Sequence, residues 1–164
     1  MRLALFTFPL ALAACAAAPK AASDAASDAA SDAASDKEFA SCAAYAPAYQ
    51  VTDDFMRTFN TKDAEAYGST FHFPSVRIAS GTVRIINSPA DLEESFDRLA
   101  AQGWDHSAWA SRRIVQCGPT KAHMLTTFVR YRADNTEMSR FNSLYIVEFK
   151  NDRWALTARS SFAP

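Results

Sequence analysis

Beyond residue 45 the apolar positions follow two successive rhythms. Phe55, Met56 and Phe59 share one face of a helix that starts between Cys42 and Thr52. Thr61 is placed to cap a second short helix, with Asp63 and Glu65 in a first turn that favours negative charge. Tyr67 and Phe71 would carry its buried side. Val76 to Ile86 reads as two short strands folded about Ser80-Gly81. Ser88-Pro89 then starts a third helix, with Ser as cap and Leu92, Phe96 and Leu99 as one stripe. After Gly103-Trp104 the period falls to two. His106 to Cys117, Lys121 to Arg132, Arg140 to Lys150 and Arg153 to Phe162 read as four strands. Gly118-Pro119, Asp134-Asn135 and Asn151-Asp152 supply the turns. Connections this short require antiparallel hairpins, so the pattern predicts an α+β domain ending in a meander.

The first 44 residues carry a different pattern. Arg2 is the only charge before Cys15, and Leu3 to Leu12 is almost wholly apolar. That run is too short to span a bilayer, which needs about 20 residues, but it suits an export signal. Leu12-Ala13-Ala14-Cys15 resembles the bacterial lipobox, in which the Cys becomes the lipidated N-terminus. The same Ala-rich stretch also suits simple cleavage without a lipid. Ala16 after the Cys implies, by that resemblance, an outer-membrane lipoprotein facing the periplasm. From Ala21 to Asp36 the unit Ala-Ala-Ser-Asp occurs four times. Its Ser and Asp compete for backbone hydrogen bonds and no apolar face builds up, so a solvated tether is expected. The expected division is a signal peptide over 1–14, a tether over 15–44 and one domain over 45–164.

Charge changes the picture only locally. The whole chain has 17 Lys and Arg against 18 Asp and Glu. From His106 onward, however, nine basic residues face four acidic ones, which points to an anionic ligand. No basic cluster suggests nucleic acid as a partner. The four glycines form no phosphate-binding loop. The three histidines lack ligand spacing, so neither a metal nor a cofactor is expected. With Cys15 lipidated, Cys42 and Cys117 remain, either as a disulfide in an oxidising compartment or as two free thiols.

Several words support a family resemblance over about residues 45–164. Thr70-Phe71-His72-Phe73-Pro74-Ser75-Val76-Arg77 resembles the segment that leaves the second helix in bacterial SnoaL-like proteins. Leu144-Tyr145-Ile146-Val147, Asp152-Arg153-Trp154-Ala155-Leu156 and Arg159-Ser160-Ser161-Phe162 resemble the last two strands of one branch. With the element order, they make the chain similar to the nuclear transport factor 2-like superfamily, which includes ketosteroid isomerase. The resemblance implies a cone: a strongly curved antiparallel sheet wrapped around three helices, with an apolar pocket at one end. It also implies a homodimer through the outer sheet face. The isomerase branch needs an Asp in the strand after helix two, a Tyr on helix one and a second acid on the meander. Here Val76-Arg77-Ile78-Ala79-Ser80 has no carboxylate, and Phe55 and Phe59 stand near the expected Tyr. Glu148 is the only acid inside a predicted meander strand.

The candidate site residues follow from this placement. His72, at the end of the second helix near the pocket mouth, is a candidate general base or a residue bonded to backbone. Arg77 and Arg159 lie in half-buried strands and each needs an acceptor. That acceptor is either a carboxylate ligand or an internal partner such as Glu148 or Asp54. Tyr145 and Ser161 are candidate neutral donors to a ligand. The leading expectation is a tethered binding module for a small apolar or anionic ligand or a partner protein. The rivals are an enzyme (hydrolase, isomerase or cyclase) using His72 with an arginine, and a structural envelope protein with a filled pocket.

Overall fold

The computed structural model describes residues 38–79 and 81–164. Cys15, the signal and the Ala-Ala-Ser-Asp repeats lie outside the described residues. Helix α1 (Tyr45–Thr61) buries Ala48, Val51, Thr52, Phe55, Met56 and Phe59 along one stripe. It stops at Lys62, whose backbone is left-handed (φ 62°) and whose N–H donates to Phe59 O. Thr61 therefore closes α1 instead of capping the next helix. The cap of α2 (Ala64–Gly68) is Asp63, whose carboxylate accepts from the N–H groups of Glu65 and Ala66. A carboxylate matches the partial positive charge of a helix start better than a hydroxyl does.

Strand β1 (Phe71–Ala79) begins immediately after this short helix. Phe71 and His72 are thus strand residues, not the tail of α2. At Gly68 a Cβ would come within 2.8 Å of Pro89, so the close packing of these segments requires a glycine. Strand β2 (Thr82–Ile86) returns antiparallel to β1, and α3 (Ala90–Ala101) follows, burying Leu92, Phe96 and Leu99. Ser88 makes no side-chain cap. Instead the Asp91 carboxylate reaches back to the Asn87 N–H at 2.7 Å.

The meander comprises β3 (His106–Cys117), β4 (Lys121–Tyr131), β5 (Glu137–Lys150) and β6 (Arg153–Ser161). Sheet order is β2-β1-β6-β5-β4-β3. Every neighbouring pair is antiparallel except β1 with β6, which run parallel. Register shifts interrupt β1/β6, β3/β4, β4/β5 and β5/β6. Such bulges bend strands and increase twist, and the sheet curls around the helices without closing. Inside it lies an aromatic core of Phe55, Phe59, Tyr67, Phe71, Phe96, Trp104 and Tyr145. Buried Trp104 donates its indole N–H to Ser107 Oγ, and half-buried Trp109 donates to Thr52 O, so both polar handles are satisfied. Cys42 and Cys117 are joined as a disulfide with Cα atoms 6.2 Å apart. It ties the segment before α1 to the end of β3.

Candidate functional site

The parallel pairing of β1 with β6 decides what faces the cavity. It sets Arg77 beside Arg159, while the β1/β2 hairpin sets Arg84 on the other side of Arg77. On β5, Tyr145 pairs with Arg159. One rung of the sheet therefore reads Arg84, Arg77, Arg159, Tyr145. Like charges directly opposite one another on a sheet repel, so this row needs something to hold it. Arg84 is held locally: it donates to Asp91 O at 2.7 Å and lies 3.6 Å from the Glu94 carboxylate.

Arg77 and Arg159 have no Asp or Glu partner among the described residues. Arg77 donates to the main-chain oxygens of Ala163 and Pro164, at 3.4 and 3.0 Å. Arg159 donates to the Tyr145 hydroxyl at 3.2 Å and lies over the Tyr145 ring. Among the described residues neither guanidinium has an Asp or Glu within ion-pair distance. The internal partners expected from the sequence are engaged elsewhere. Glu148 pairs with Lys121 at 2.9 Å, its cross-strand neighbour on β4, and Asp54 pairs with Arg57 at 2.8 Å one helical turn along. In both cases a nearby exposed cation reaches the carboxylate first. Burial, followed by the positive charge of Arg159, brings the Arg77 pKa down to about 10.

Arg77 and Arg159 line one cavity of about 40 Å³ together with Tyr67, Phe71, Arg84 and Asp91. Its apolar wall comes from α2, β1 and α3, and its charge from the arginine rung. Tyr145 stands behind Arg159, fully buried, and burial pushes its phenol pKa up. Ser161 also stands off the cavity. Its hydroxyl bonds Ser143 at 2.7 Å and accepts from the Ala163 N–H, which holds the final residues across the inner face of the sheet.

His72 is buried and does not line this cavity. Its Nε2 lies 3.1 Å from Glu148 O, an atom that can only accept, so Nε2 carries the proton. Burial lowers the imidazole pKa, keeping the ring neutral. The geometry thus unites Arg77 and Arg159 and leaves His72 apart. Among the described residues no three His, Cys, Asp or Glu are grouped to hold a metal ion.

Sequence reasoning missed Arg84 and Arg130. Arg84 alternates with the exposed Val83 and Ile85, which hides its inward direction. Arg130 had a usable signal, being in phase with Ala122, Met124, Thr126 and Phe128, all buried on one face of β4.

The comparisons with known proteins agree with this architecture. A search of curated protein sequences returned no match. Among solved structures, a cystatin-like-fold protein of unknown function from Nostoc punctiforme aligns at 15% identity with a TM-score of 0.60, covering 72% of this chain and 89% of its own. An NTF2-like protein with a cystatin-like fold from Novosphingobium aromaticivorans aligns at 13% identity and 0.59, covering 72% and 80%. A protein from Catenulispora acidiphila, solved in complex with S-DNPA, aligns at 14% identity and 0.58, covering 72% and 91%. At these identities the likeness is one of fold. The sequence profile of the family described as NTF2-like protein (DUF6841) matches residues 47–162. With the curved six-stranded sheet and its enclosed helices, that match places the chain in the NTF2-like family DUF6841.

Proposed function

We propose that the domain is a binding module for a small anion, held at the cavity by Arg77 and Arg159. One observation carries this reading: two cross-strand arginines share a cavity, and among the described residues no Asp or Glu lies within ion-pair distance of either, although Asp91 lines the same cavity. An anion seated there would relieve their repulsion and supply charge-assisted hydrogen bonds. The cavity has room for an anionic head group rather than a large body. The Catenulispora acidiphila neighbour, solved in complex with S-DNPA, supports a binding role for a chain of this fold. An enzyme built on His72 lacks comparable support, because its imidazole is buried on a backbone carbonyl away from the cavity.

Thermal melts of the full-length protein against acetate and formate test this reading. A ligand at a hundredfold excess over its Kd stabilises by about 2.7 kcal/mol. Arg159→Met is expected to weaken binding at least tenfold, about 1.4 kcal/mol. Melts that ignore both anions in the wild type would favour a structural protein with a filled pocket.

We further propose that the domain works at the cell envelope, exported and lipid-anchored at Cys15. Support comes from the lipobox-like word and from the Cys42–Cys117 disulfide, a bond that persists in oxidising compartments. Cys15→Ala should move the protein from the membrane fraction to the soluble one. Wild-type protein found already soluble would sink the anchor.

A further inference from the structure

Arg130, which does not line the cavity, presents a second cation without a partner among the described residues. Its side chain is on the inner face of β4 and the residue is only 7% exposed. Among the described residues it makes no hydrogen bond and no ion pair. Its Nε is sealed from solvent without a partner. The guanidinium lies over the rings of Phe128 and Phe141, at 5.8 and 5.1 Å from their centroids. Such contacts recover only a small part of the cost of burying a cation. Nearby charge makes matters worse, since burial and then the charge of Arg159 bring the Arg130 pKa down to about 10.

A structural arginine would carry a carboxylate or a set of carbonyls. Among the described residues Arg130 has neither. With aromatic rings against it, the guanidinium is left to bond in its own plane, where its N–H groups match a carboxylate in a bidentate fork. Half-buried Phe141 lies under the guanidinium, and half-buried Trp109 packs edge-on against Phe128, so both offer apolar surface in this region. Ala163 connects this place to the cavity, packing on Phe128 while its carbonyl accepts from Arg77.

We propose that Arg130 receives the carboxylate of an organic acid whose apolar part packs on Phe128, Phe141 and Trp109. This rests on the anion-binding reading above and adds to it a neighbouring place that takes carboxylates with an apolar body. It also makes the cost of burying Arg130 a functional one, as buried cations without partners generally destabilise the free protein.

The test uses full-length protein, with benzoate and hexanoate as probes and sulfate and acetate as controls. Affinity is read by titration calorimetry on variants whose far-ultraviolet circular dichroism matches the wild type. Benzoate and hexanoate should bind at least tenfold more tightly than sulfate or acetate. Arg130→Met should lose at least tenfold for both probes, and Arg130→Lys, which keeps the charge but not the fork, should recover only part of it. Without ligand, Arg130→Met should melt at or above the wild-type temperature. Unchanged benzoate affinity in Arg130→Met overturns the proposal, and the cavity reading survives if Arg159→Met still loses acetate. Equal affinity for sulfate and benzoate overturns the assigned ligand class.

Discussion

Phe55→Ala should destabilise the domain by about 3–5 kcal/mol, the usual range for removing a buried phenylalanine. Phe55 is 2% exposed and sits at the centre of the aromatic core. Its ring lies 4.9 Å from that of Tyr67, 5.2 Å from Tyr145, 5.8 Å from Phe71 and 6.1 Å from Trp109. These rings belong to α2, β5, β1 and β3, so one truncation loosens α1 from four elements together. Aromatic pairs add about 0.5–1.5 kcal/mol beyond area burial, which puts this site at the upper end of the range. Domains of this kind have total stabilities of about 5–15 kcal/mol, so the loss is a third or more of a modest total. The effect should also reach the site. Tyr145 presses edge-on against Phe55 and accepts from Arg159, so anion affinity should fall with stability. Urea unfolding measures the first effect. A loss below about 1 kcal/mol would mean the core collapses around the missing ring, and that Phe55 is not its centre.

Replacing both Cys42 and Cys117 by serine should cost about 2–4 kcal/mol. The bond joins residues 75 apart in sequence, a long loop whose closure removes much freedom from the unfolded chain. The chain-entropy relation gives about 4.5 kcal/mol for a loop of that length, and native-state adjustments usually reduce it. The position matters as much as the length. Cys42 precedes α1, and Ala44 and Ala48 nearby are wholly buried in the core. Without the bond, the start of α1 should fray first, and hydrogen exchange should show lost protection there before it reaches the strands. The wild type in reducing buffer should melt like the double variant. Equal melting temperatures with and without reductant would show that the bond contributes nothing to stability.

Much of the domain was legible in the alternation of apolar and polar residues. The meander was readable because its strands alternate over stretches between bulges and end at residues suited to turns. Asn135, Asn151 and Asp152 do adopt positive φ, as their short polar side chains allow. The stripe Leu92, Phe96 and Leu99 likewise identified α3 correctly. Where local signals competed, the reading slipped. Thr61 and Asp63 are both good caps, and only the left-handed turn at Lys62 decides between them. Phe71 and His72 fit a helical face as well as a strand, until pairing with β6 is seen. Phe71 is opposite Leu156, and the Leu156 N–H donates to Thr70 O at 2.9 Å.

The site divides along the same line. Arg77 and Arg159 stood out as charges inside apolar strands, a purely local signal. That they are neighbours depends on a parallel register between strands 82 residues apart, and no local pattern encodes such a register. Their expected partners failed for a related reason. A carboxylate takes the nearest cation, and cross-strand and helical neighbours brought Lys121 to Glu148 and Arg57 to Asp54. By itself, then, the sequence determined the elements and the presence of inward charges, because periodicity and turn chemistry act over a few residues, while the cone family followed from the resemblance of its words to a known family. Only the tertiary structure decided which charges meet and which stay unmatched, because that depends on distances set by sheet register and curvature.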